Sequence, residues 1–471
     1  MNINFEEIEE EESFRDRIAT VNEKGKRIWI FPKKPKGTWY NRRKIVSYIL
    51  LFLLFASPHI KFRGEQMFQF DVTAPKFVVF FKVFWPQDMY IFAIALVLGV
   101  VFVIFFTIIF GRLFCGWVCP QTIFMEMLFR RVEYWIEGDW THQKKLDSQK
   151  WNQEKIIKRG GKHVVFWFIS FLIANTFLAY IIGSDELYRI ITDPVGKHIG
   201  GLIAIVIFTY VFYGVFAFLR EQVCTTICPY GRLQGVLLDQ NTMVVAYDKK
   251  RGENRAKFKK DEERQAKGLG DCIDCKQCIH VCPTGIDIRN GTQLECVNCT
   301  ACIDSCDTIM EGIGKPKGLI RFVSENGIKD GINFQWTRRV KSYSILLFAL
   351  FATLVVLLIT RKDFETTILR QRGSTFQITE DNKISNIYEI DLTNKTRKDF
   401  KIELKTDCAQ CEIKLVVKKL ILPKSKHKKE RFIIEMPLST MRDGTKIIHI
   451  QVFGNGEEID NVKTKFIGPM L

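Results

Sequence analysis

Five long apolar segments dominate the hydrophobic pattern of this 471-residue chain. Each of them approaches or exceeds the length that crosses a bilayer as a helix. The segments lie at 44–60, 88–110, 163–183, 201–219 and 342–360. One such run could be a buried core helix, but five of them predict a membrane protein. A shorter aromatic stretch at 77–85 contains Lys82, and we expect it to lie at the membrane interface.

After the fifth apolar segment the pattern changes to short runs in which apolar and polar residues alternate. Examples are the segments at 387–392, 400–404 and 446–453, which are separated by Asn, Lys, Pro and Gly. Alternation with a period of two is typical of strands that bury one face. The segment 361–471 is therefore predicted to be an all-β, immunoglobulin-like sandwich.

The distribution of positive charge indicates how the chain crosses the membrane. The net charge is +17, but Lys and Arg concentrate in alternate loops between the apolar segments. Cytoplasmic loops carry this excess in inner-membrane proteins. We therefore expect the N-terminal segment, the 111–162 loop and the segment before the fifth span in the cytoplasm, and 361–471 in the periplasm. The charged start of the chain, with its acidic run at 6–12, does not resemble a signal peptide. This alternation argues against nucleic-acid binding as the reason for the positive charge.

Eight of the fourteen cysteines form two near-copies of one pattern. The copies are Cys272-x2-Cys275-x2-Cys278-x3-Cys282-Pro283 and Cys296-x2-Cys299-x2-Cys302-x3-Cys306. This spacing is that of a ferredoxin with two [4Fe–4S] clusters, in which the fourth cysteine of each motif binds the other cluster. Cys306 is thus expected to join Cys272, Cys275 and Cys278, and Cys282 to join Cys296, Cys299 and Cys302. Zinc knuckles and disulfides are the alternatives, but zinc favours paired C-x2-C motifs, and disulfides are rare in the cytoplasm.

A second cysteine motif occurs twice, once after the second apolar segment and once after the fourth. The copies are Cys115-x3-Cys119-Pro120 and Cys224-x3-Cys228-Pro229. The repeat suggests that 44–246 contains two duplicated helical hairpins. Proline disfavours a helical conformation at the residue before it, so each motif is expected to turn at a helix end. Soft thiolates select Cu(I), which makes these four cysteines a candidate copper site. The alternative is that they are small buried residues that pack the hairpins.

Other candidate ligands carry weaker signals. Cys408 and Cys411 in the outer domain could form a disulfide or bind copper, or their pairing could be incidental. His59 and His280 are expected to be structural. No residue is expected to act as an acid or base catalyst.

Taken together, these segments resemble the cytochrome c oxidase accessory proteins of the CcoG/FixG type. The resemblance rests on FRDRIATV at 14–21, GKRIWIFP at 25–32, the paired C-x3-C-P motifs, the double ferredoxin motif and the final span before a sandwich. It implies an inner-membrane polyferredoxin that acts as an oxidoreductase, reducing Cu(II) to Cu(I) for assembly of a cbb-type cytochrome c oxidase. The implied cofactors are two [4Fe–4S] clusters and copper, and the implied partners are membrane lipid, oxidase-assembly or copper-handling proteins and an unidentified electron donor.

The expected architecture is a multi-domain membrane protein. An α-helical transmembrane region of about five spans carries an inserted α+β ferredoxin domain and a C-terminal all-β sandwich. The expected boundaries are 1–43 for the N-terminal segment, 44–246 for four spans, 247–341 for the ferredoxin domain, 342–360 for the fifth span and 361–471 for the sandwich. Two other functions remain open: a quinol dehydrogenase subunit and a redox-sensing assembly scaffold.

Overall fold

The structure is a computed structural model that describes residues 20–470. Short gaps fall at 22–23, 25, 63, 72–75, 260–262, 332–333, 372, 374, 380, 397, 418, 425 and 442. The acidic run at 6–12 and most of the 14–21 motif lie outside the described residues. The chain forms two compact units, and the second consists of Val83–Gln87 together with Val355–Leu471.

Helices dominate the first unit. In chain order they are α1 (Thr38–Ala56), α2 (Met89–Phe110), α3 (Leu113–Trp117), α4 (Pro120–Ile123), α5 (Arg130–Ile136), α6 (Trp140–Ser148), α7 (Gln153–Ile182), α8 (Ser184–Thr192), α9 (Ile199–Gly214), α10 (Pro229–Leu237), α11 (Lys249–Gly252), α12 (Gln277–His280), α13 (Ala301–Gly312), α14 (Glu325–Asp330) and α15 (Arg338–Ile359). Three π-helical turns, at Phe124–Phe129, Val215–Leu219 and Val223–Ile227, adjoin these helices. Such turns are rare and often mark functional segments.

The described strands form two short pairs, one three-stranded sheet and one large sandwich. They are β1 (Lys61–Phe62), β2 (Glu65–Gln66), β3 (Phe68–Asp71), β4 (Lys76–Val79), β5 (Lys82–Phe84), β6 (Val244–Tyr247), β7 (Ile320–Val323), β8 (Phe364–Arg370), β9 (Gln377–Ile378), β10 (Lys383–Asn394), β11 (Phe400–Thr406), β12 (Glu412–Leu415), β13 (Leu420–Leu422), β14 (His427–Pro437), β15 (Asp443–Gly454) and β16 (Glu457–Met470). The aromatic stretch at 77–85, predicted to be interfacial, contributes to β4 and β5.

Four of the five predicted spans form helices that are long and apolar enough to cross a membrane. They lie at Pro86–Phe110, Gln153–Ile182, Ile199–Leu219 and Arg338–Ile359. The second of these begins ten residues before the apolar segment at 163, because the helix continues into a polar stretch that starts with an Asn152 cap. The chain is therefore a membrane protein, as the sequence predicts.

Helix α1 occupies the position of the remaining predicted span. It is not among the four, because Arg42, Arg43 and Lys44 make its first turns polar. Its two ends nevertheless contact distant parts of the first unit. The backbone N–H of Tyr40 donates to Asp304 in α13, whereas the carbonyl of Leu54 accepts a hydrogen bond from the hydroxyl of Tyr180, near the end of α7. Nineteen helical residues extend over about 28 Å, which is close to the hydrocarbon thickness of a bilayer.

The ferredoxin segment packs around cysteines and a two-stranded sheet. Strands β6 and β7 pair antiparallel, with Val245 opposite Phe322. Buried Ile286, Ile303 and Met310 pack with the cysteines to form its core. An α+β region with buried cysteines is thus present, in agreement with the predicted fold class.

The second unit contains a two-sheet sandwich. One sheet has the order β12-β14-β10-β8, with β9 also paired to β10, and the other has the order β13-β11-β15-β16. Every second residue near the end of β14 is buried, as alternation of apolar and polar residues requires. The Tyr388 hydroxyl in β10 donates to the carbonyl of Lys465 in β16, which ties the two sheets together. This fold confirms the predicted all-β domain.

Candidate iron–sulfur and membrane-thiol site

The two C-x2-C-x2-C loops adopt the same unusual backbone conformation. Residues on both sides of the middle cysteine have positive φ angles, 50° and 56° at Asp274 and Lys276, and 50° and 64° at Asn298 and Thr300. Left-handed backbone is disfavoured for residues other than glycine, and most strongly for a β-branched residue such as Thr300. Successive N–H groups in such turns make the concave anion-binding sites found at many iron–sulfur centres. The conformation of both loops therefore fits a bound cluster.

The structure places Cys306 beside the first cysteine motif. Burial raises the pKa of the Cys306 thiol to about 12, and the negative charges of Cys278, Cys275 and Cys272 add to this effect. These four thiols therefore lie within electrostatic range of one another. Their grouping is the one that the crossed ligand pattern predicts, although the ligand assignment itself stays a prediction.

Cys282 lies correspondingly close to the second motif. One cavity is lined by Cys282, Cys296, Cys299 and Cys302, and Cys278 of the first motif also lines it. Burial raises the pKa of Cys296 to about 12, with the charges of Cys299 and Cys282 contributing. Buried thiols of this kind are neutral unless a cation compensates them, and iron would supply that charge. The donor set consists of soft sulfur ligands, which suits an iron–sulfur cluster.

Two side chains hold these loops in place. Asn298 accepts a hydrogen bond from the backbone N–H of Val245 at 3.2 Å and donates to the carbonyl of Phe110 at 3.4 Å. It thereby fastens the second loop to both the β6 strand and the end of helix α2. Arg289 donates to Asp274 in the first loop at 2.6 Å. The ferredoxin loops are thus fixed by polar contacts that the cysteine spacing does not reveal.

The four membrane thiols lie at helix ends, as predicted. Cys115 is in α3, and Cys119 precedes α4 with an extended ψ of 123°. Cys224 lies in the π-turn Val223–Ile227, and Cys228 precedes α10 with a ψ of 113°. The proline after each second cysteine begins the next helix, where its missing N–H costs no hydrogen bond. Each copy of the motif therefore turns the chain and does not continue one helix.

Three of these thiols influence one another. Burial raises the pKa of Cys224 to about 12, and the charges of Cys119 and Cys115 contribute. The thiol of Cys115 donates to Oε1 of Gln234 at 3.0 Å, and the same oxygen accepts from Nε of Arg112 at 3.0 Å. Across the described part of the chain, no three His, Cys, Asp or Glu side chains are arranged to hold a single metal ion. The thiols are thus gathered, but they do not form a closed three-ligand metal site.

The first membrane motif packs directly against the second ferredoxin loop. Cys115 belongs to one apolar cluster with Val297 and Cys299, and Cys302 packs against that cluster. A Cβ atom at Gly116 would lie 2.2 Å from the carbonyl oxygen of Val297, so only glycine fits there. The contact brings a membrane thiol next to two predicted cluster ligands.

The start of helix α1 contacts both the ferredoxin helix α13 and the first membrane motif. Asp304, which lies between Cys302 and Cys306 in α13, accepts hydrogen bonds from the backbone N–H groups of Trp39 and Tyr40 at 3.0 and 2.7 Å. The rings of Trp39 and Trp117 meet edge to face, with centroids 6.3 Å apart. Sequence reasoning missed these residues. A signal that could have drawn attention to this part of the chain is the basic segment at 31–37, which contains Pro32 and Pro35.

The remaining candidate residues lie elsewhere. Cys408 and Cys411 form a disulfide in the loop before β12, so the structure favours that alternative. His280 stacks on the ring of Trp140, with centroids 4.7 Å apart. His59 is exposed just after α1.

Family models match three parts of this chain. A 4Fe–4S dicluster domain matches residues 219–325, and a 4Fe–4S binding domain matches residues 92–143. The Ig-like fold found at the C-terminus of FixG matches residues 354–469. The iron–sulfur and sandwich assignments therefore agree with the geometry.

Whole-length relatives extend this similarity. Nitrogen fixation protein FixG of Rhizobium meliloti (strain 1021) is 31% identical over 410 residues, covering 78% of this chain and 77% of that protein. Protein RdxA of Cereibacter sphaeroides is 33% identical over 394 residues, covering 80% and 82% respectively. Protein RdxB of the same organism is 32% identical over 398 residues, covering 81% and 83%. The chain belongs to the FixG family of membrane-bound iron–sulfur proteins.

Proposed function

We propose that this iron–sulfur electron-transfer protein reduces Cu(II) to Cu(I) at its membrane thiols and so supports assembly of a cbb-type cytochrome c oxidase. The observation that carries the proposal is the packing of Cys115 with Cys299 in one apolar cluster. This packing places a thiol able to bind copper in the same buried apolar group as a predicted iron–sulfur ligand.

The chain's own residues divide the task between two regions. The four thiols of each ferredoxin group would hold a [4Fe–4S] cluster, which supplies one-electron transfer when bound. Cys115, Cys119, Cys224 and Cys228 provide soft sulfur that binds Cu(I) in preference to Cu(II). The reaction consumes one electron per copper ion, and that electron comes from a reduced redox partner outside the chain.

The surroundings of Cys115 suit a thiolate that binds metal. Burial raises the pKa of this thiol, and the positive charge of Arg112 opposes that effect. Gln234 accepts the thiol proton in a hydrogen bond, so its side chain fixes the direction of the sulfur. Binding of Cu(I) releases this proton, and the guanidinium of Arg112 then faces a sulfur with partial negative charge.

Membrane orientation completes the proposal. We place the ferredoxin-like region in the cytoplasm of a cell with an inner membrane, and the sandwich in the periplasm, because Lys and Arg concentrate in the loops on the ferredoxin side. Electrons would then come from a cytoplasmic donor. Copper would be reduced at the cytoplasmic ends of the spans.

The decisive experiment compares iron content and copper chemistry in the same samples. The full-length protein is purified without oxygen, reduced and mixed with Cu(II), and the Cu(I) formed is trapped by a chromogenic chelator. Serine replacement of Cys115, Cys119, Cys224 and Cys228 should leave iron near the wild-type content and slow Cu(I) formation. The matched control replaces Cys408 and Cys411 with serine, which should change neither quantity.

Two outcomes would overturn the proposal. An unchanged rate and an unchanged Cu(I) affinity in the fourfold variant would return these cysteines to a packing role. Loss of iron from that variant would show that they hold a cluster and not copper.

A further inference from the structure

A cavity on the surface of the first unit combines positive charge with aromatic rings. Its volume is about 640 Å³, and no Asp or Glu of the described residues lines it. Its lining comprises four cations, three aromatic residues and three other residues: Lys34, Lys36, Lys44, Arg131, Tyr40, Tyr134, Trp135, Pro35, Gly37 and Asn41. The carboxylate of Asp139, which lies nearby, already accepts the backbone N–H groups of Lys34 and Trp140.

The wall of this cavity is fixed by contacts between two helices. The guanidinium of Arg131 in α5 donates to the hydroxyl groups of Tyr48 and Tyr40, both in α1. The hydroxyl of Tyr134 donates to the carbonyl of Pro32 at 3.0 Å, which holds the basic segment across the opening. The side chain of Arg131 and the backbone that carries Lys34 are therefore held in place at this cavity.

An apolar stripe leads away from the cavity along α1. Lys44 on the cavity wall is followed one turn later by Tyr48 and a further turn later by Phe52, which is 69% exposed. Residues four apart lie on the same face of a helix. Ile49 is also exposed, and the ring of Trp135 at the mouth is 80% exposed. Exposed tryptophan and tyrosine of this kind are characteristic of the headgroup level of a membrane.

We propose that this cavity binds the headgroup of an anionic phospholipid. The phosphodiester would lie among Lys34, Lys44 and Arg131, and the acyl chains would follow the exposed face of α1 past Phe52. Positive charge with no lining carboxylate matches a phosphate, and the adjoining apolar stripe matches a lipid and not a free anion. The site is independent of the copper chemistry proposed above.

This site also adjoins the iron–sulfur region. Tyr40 on the cavity wall supplies one of the two backbone N–H groups that Asp304 accepts, and Asp304 lies in the helix of Cys302 and Cys306. A lipid bound here would stabilise the start of α1 against that helix. The site therefore gives the membrane a direct contact with the segment that supports the predicted cluster ligands.

Lipid-dependent thermal stability of the full-length protein in detergent micelles tests the proposal. Three additives are compared: phosphatidylglycerol, phosphatidylcholine and inorganic phosphate. Only phosphatidylglycerol should raise the melting temperature of the wild-type protein. Glutamine replacement of Lys34, Lys44 and Arg131 should weaken that rise in melting temperature. The lipid concentration needed for a given rise should increase, because lipid affinity falls about fivefold for each cation removed.

A matched variant distinguishes a built site from general charge. Glutamine replacement of Lys145, Lys150 and Lys158 removes the same charge outside the cavity and should keep the wild-type response. An equal loss in both variants would show a diffuse surface attraction and overturn the proposal. An equal response to inorganic phosphate would show an anion site without a lipid. If the triple cavity variant does not fold, the single variants Lys44→Gln and Lys145→Gln are compared in the same way. Lys44→Gln should weaken the response to phosphatidylglycerol and Lys145→Gln should not, and an equal loss in both would overturn the proposal.

Discussion

At the scale of single residues, Asp304 joins two parts of the first unit. Its two carboxylate oxygens accept the N–H groups at the start of α1, and its own helix carries Cys302 and Cys306. Negative charge at the first turn of a helix is also favourable, because the N-terminal N–H groups there have no helical partners. One carboxylate therefore connects the membrane bundle with the ferredoxin-like region.

Replacing Asp304 with alanine should destabilise this junction by about 1–3 kcal/mol, because two backbone N–H groups lose their acceptor. Iron should also be lost faster on incubation with a chelator. Thermal unfolding and timed iron release measure the two effects. The control is Glu311→Gln in the same helix, where the side chain is 68% exposed. If Asp304→Ala unfolded and released iron as the wild-type protein does, the contact would not stabilise this junction.

The crossed cluster pattern yields a second prediction at this scale. Cys282→Ser and Cys296→Ser should each abolish the same spectroscopic signal, because both thiols belong to one group. Cys306→Ser should abolish the other signal. Electron paramagnetic resonance of the reduced proteins, with spin quantitation, tests this assignment. If Cys282→Ser instead matched Cys306→Ser, each motif would bind its own fourth ligand.

At the scale of elements, a buried ion network joins α5, α7 and Arg220, which directly follows the π-helical turn Val215–Leu219. The carboxylate oxygens of Glu133 accept hydrogen bonds from Nη1 and Nη2 of Arg220 at 2.7 and 2.8 Å. Nζ of Lys162 lies 3.6 Å from Oε1 of Glu133. Burial alone would raise the pKa of Glu133, but the charges of Arg220 and Lys162 outweigh burial and lower it. Breaking a buried pair from one side is costly because the partner charge remains.

Glu133→Gln should therefore cost about 3–5 kcal/mol of unfolding free energy at neutral pH. The lowered folded-state pKa gives stability that is present above the unfolded value of 4.5 and is lost as the pH falls through the folded value. The variant should lack that contribution, so its stability should fall less on acidification. Denaturation of both proteins across this pH range provides the measurement. Glu154→Gln removes an exposed pair with Lys158 and should leave the stability close to that of the wild-type protein.

The sequence predicts these elements well where the signal is local. Hydrophobic length predicts five spans, of which four form helices long and apolar enough to cross a membrane, and alternation predicts the sandwich. The cluster ligands that the cysteine spacing assigns stay a prediction. The remaining predicted span begins at 44, whereas helix α1 begins at Thr38 and so includes basic residues. The sequence does not predict this start, since buried Arg43 donates to the carbonyl of distant Gly116. The contacts of Asp304 and Asn298 likewise join residues far apart in sequence. Such contacts depend on tertiary packing, which periodicity does not encode.

At the scale of the whole molecule, the order of the spans gives a topology that fusions can test. Alkaline phosphatase should be active when fused after Gly196 or Met470 and inactive when fused after Lys145 or Gly314. The expectation follows from the basic loops on the ferredoxin side. Green fluorescent protein fused at the same positions is the control and should give the opposite pattern. Activity after Gly314 would place the ferredoxin-like region outside and contradict the proposed cytoplasmic donor.

The close approach of Gly116 to Val297 has a consequence for the rate of the proposed electron transfer. Electron tunnelling slows exponentially as the gap between two sites widens, so the spacing of these backbones sets a rate as well as a fold. Because a Cβ atom at this position would lie 2.2 Å from the carbonyl oxygen, one methyl group must push the two regions apart. In the electron transfer proposed above, the absence of a side chain at this single position would keep the tunnelling distance between the ferredoxin-like region and the membrane thiols short.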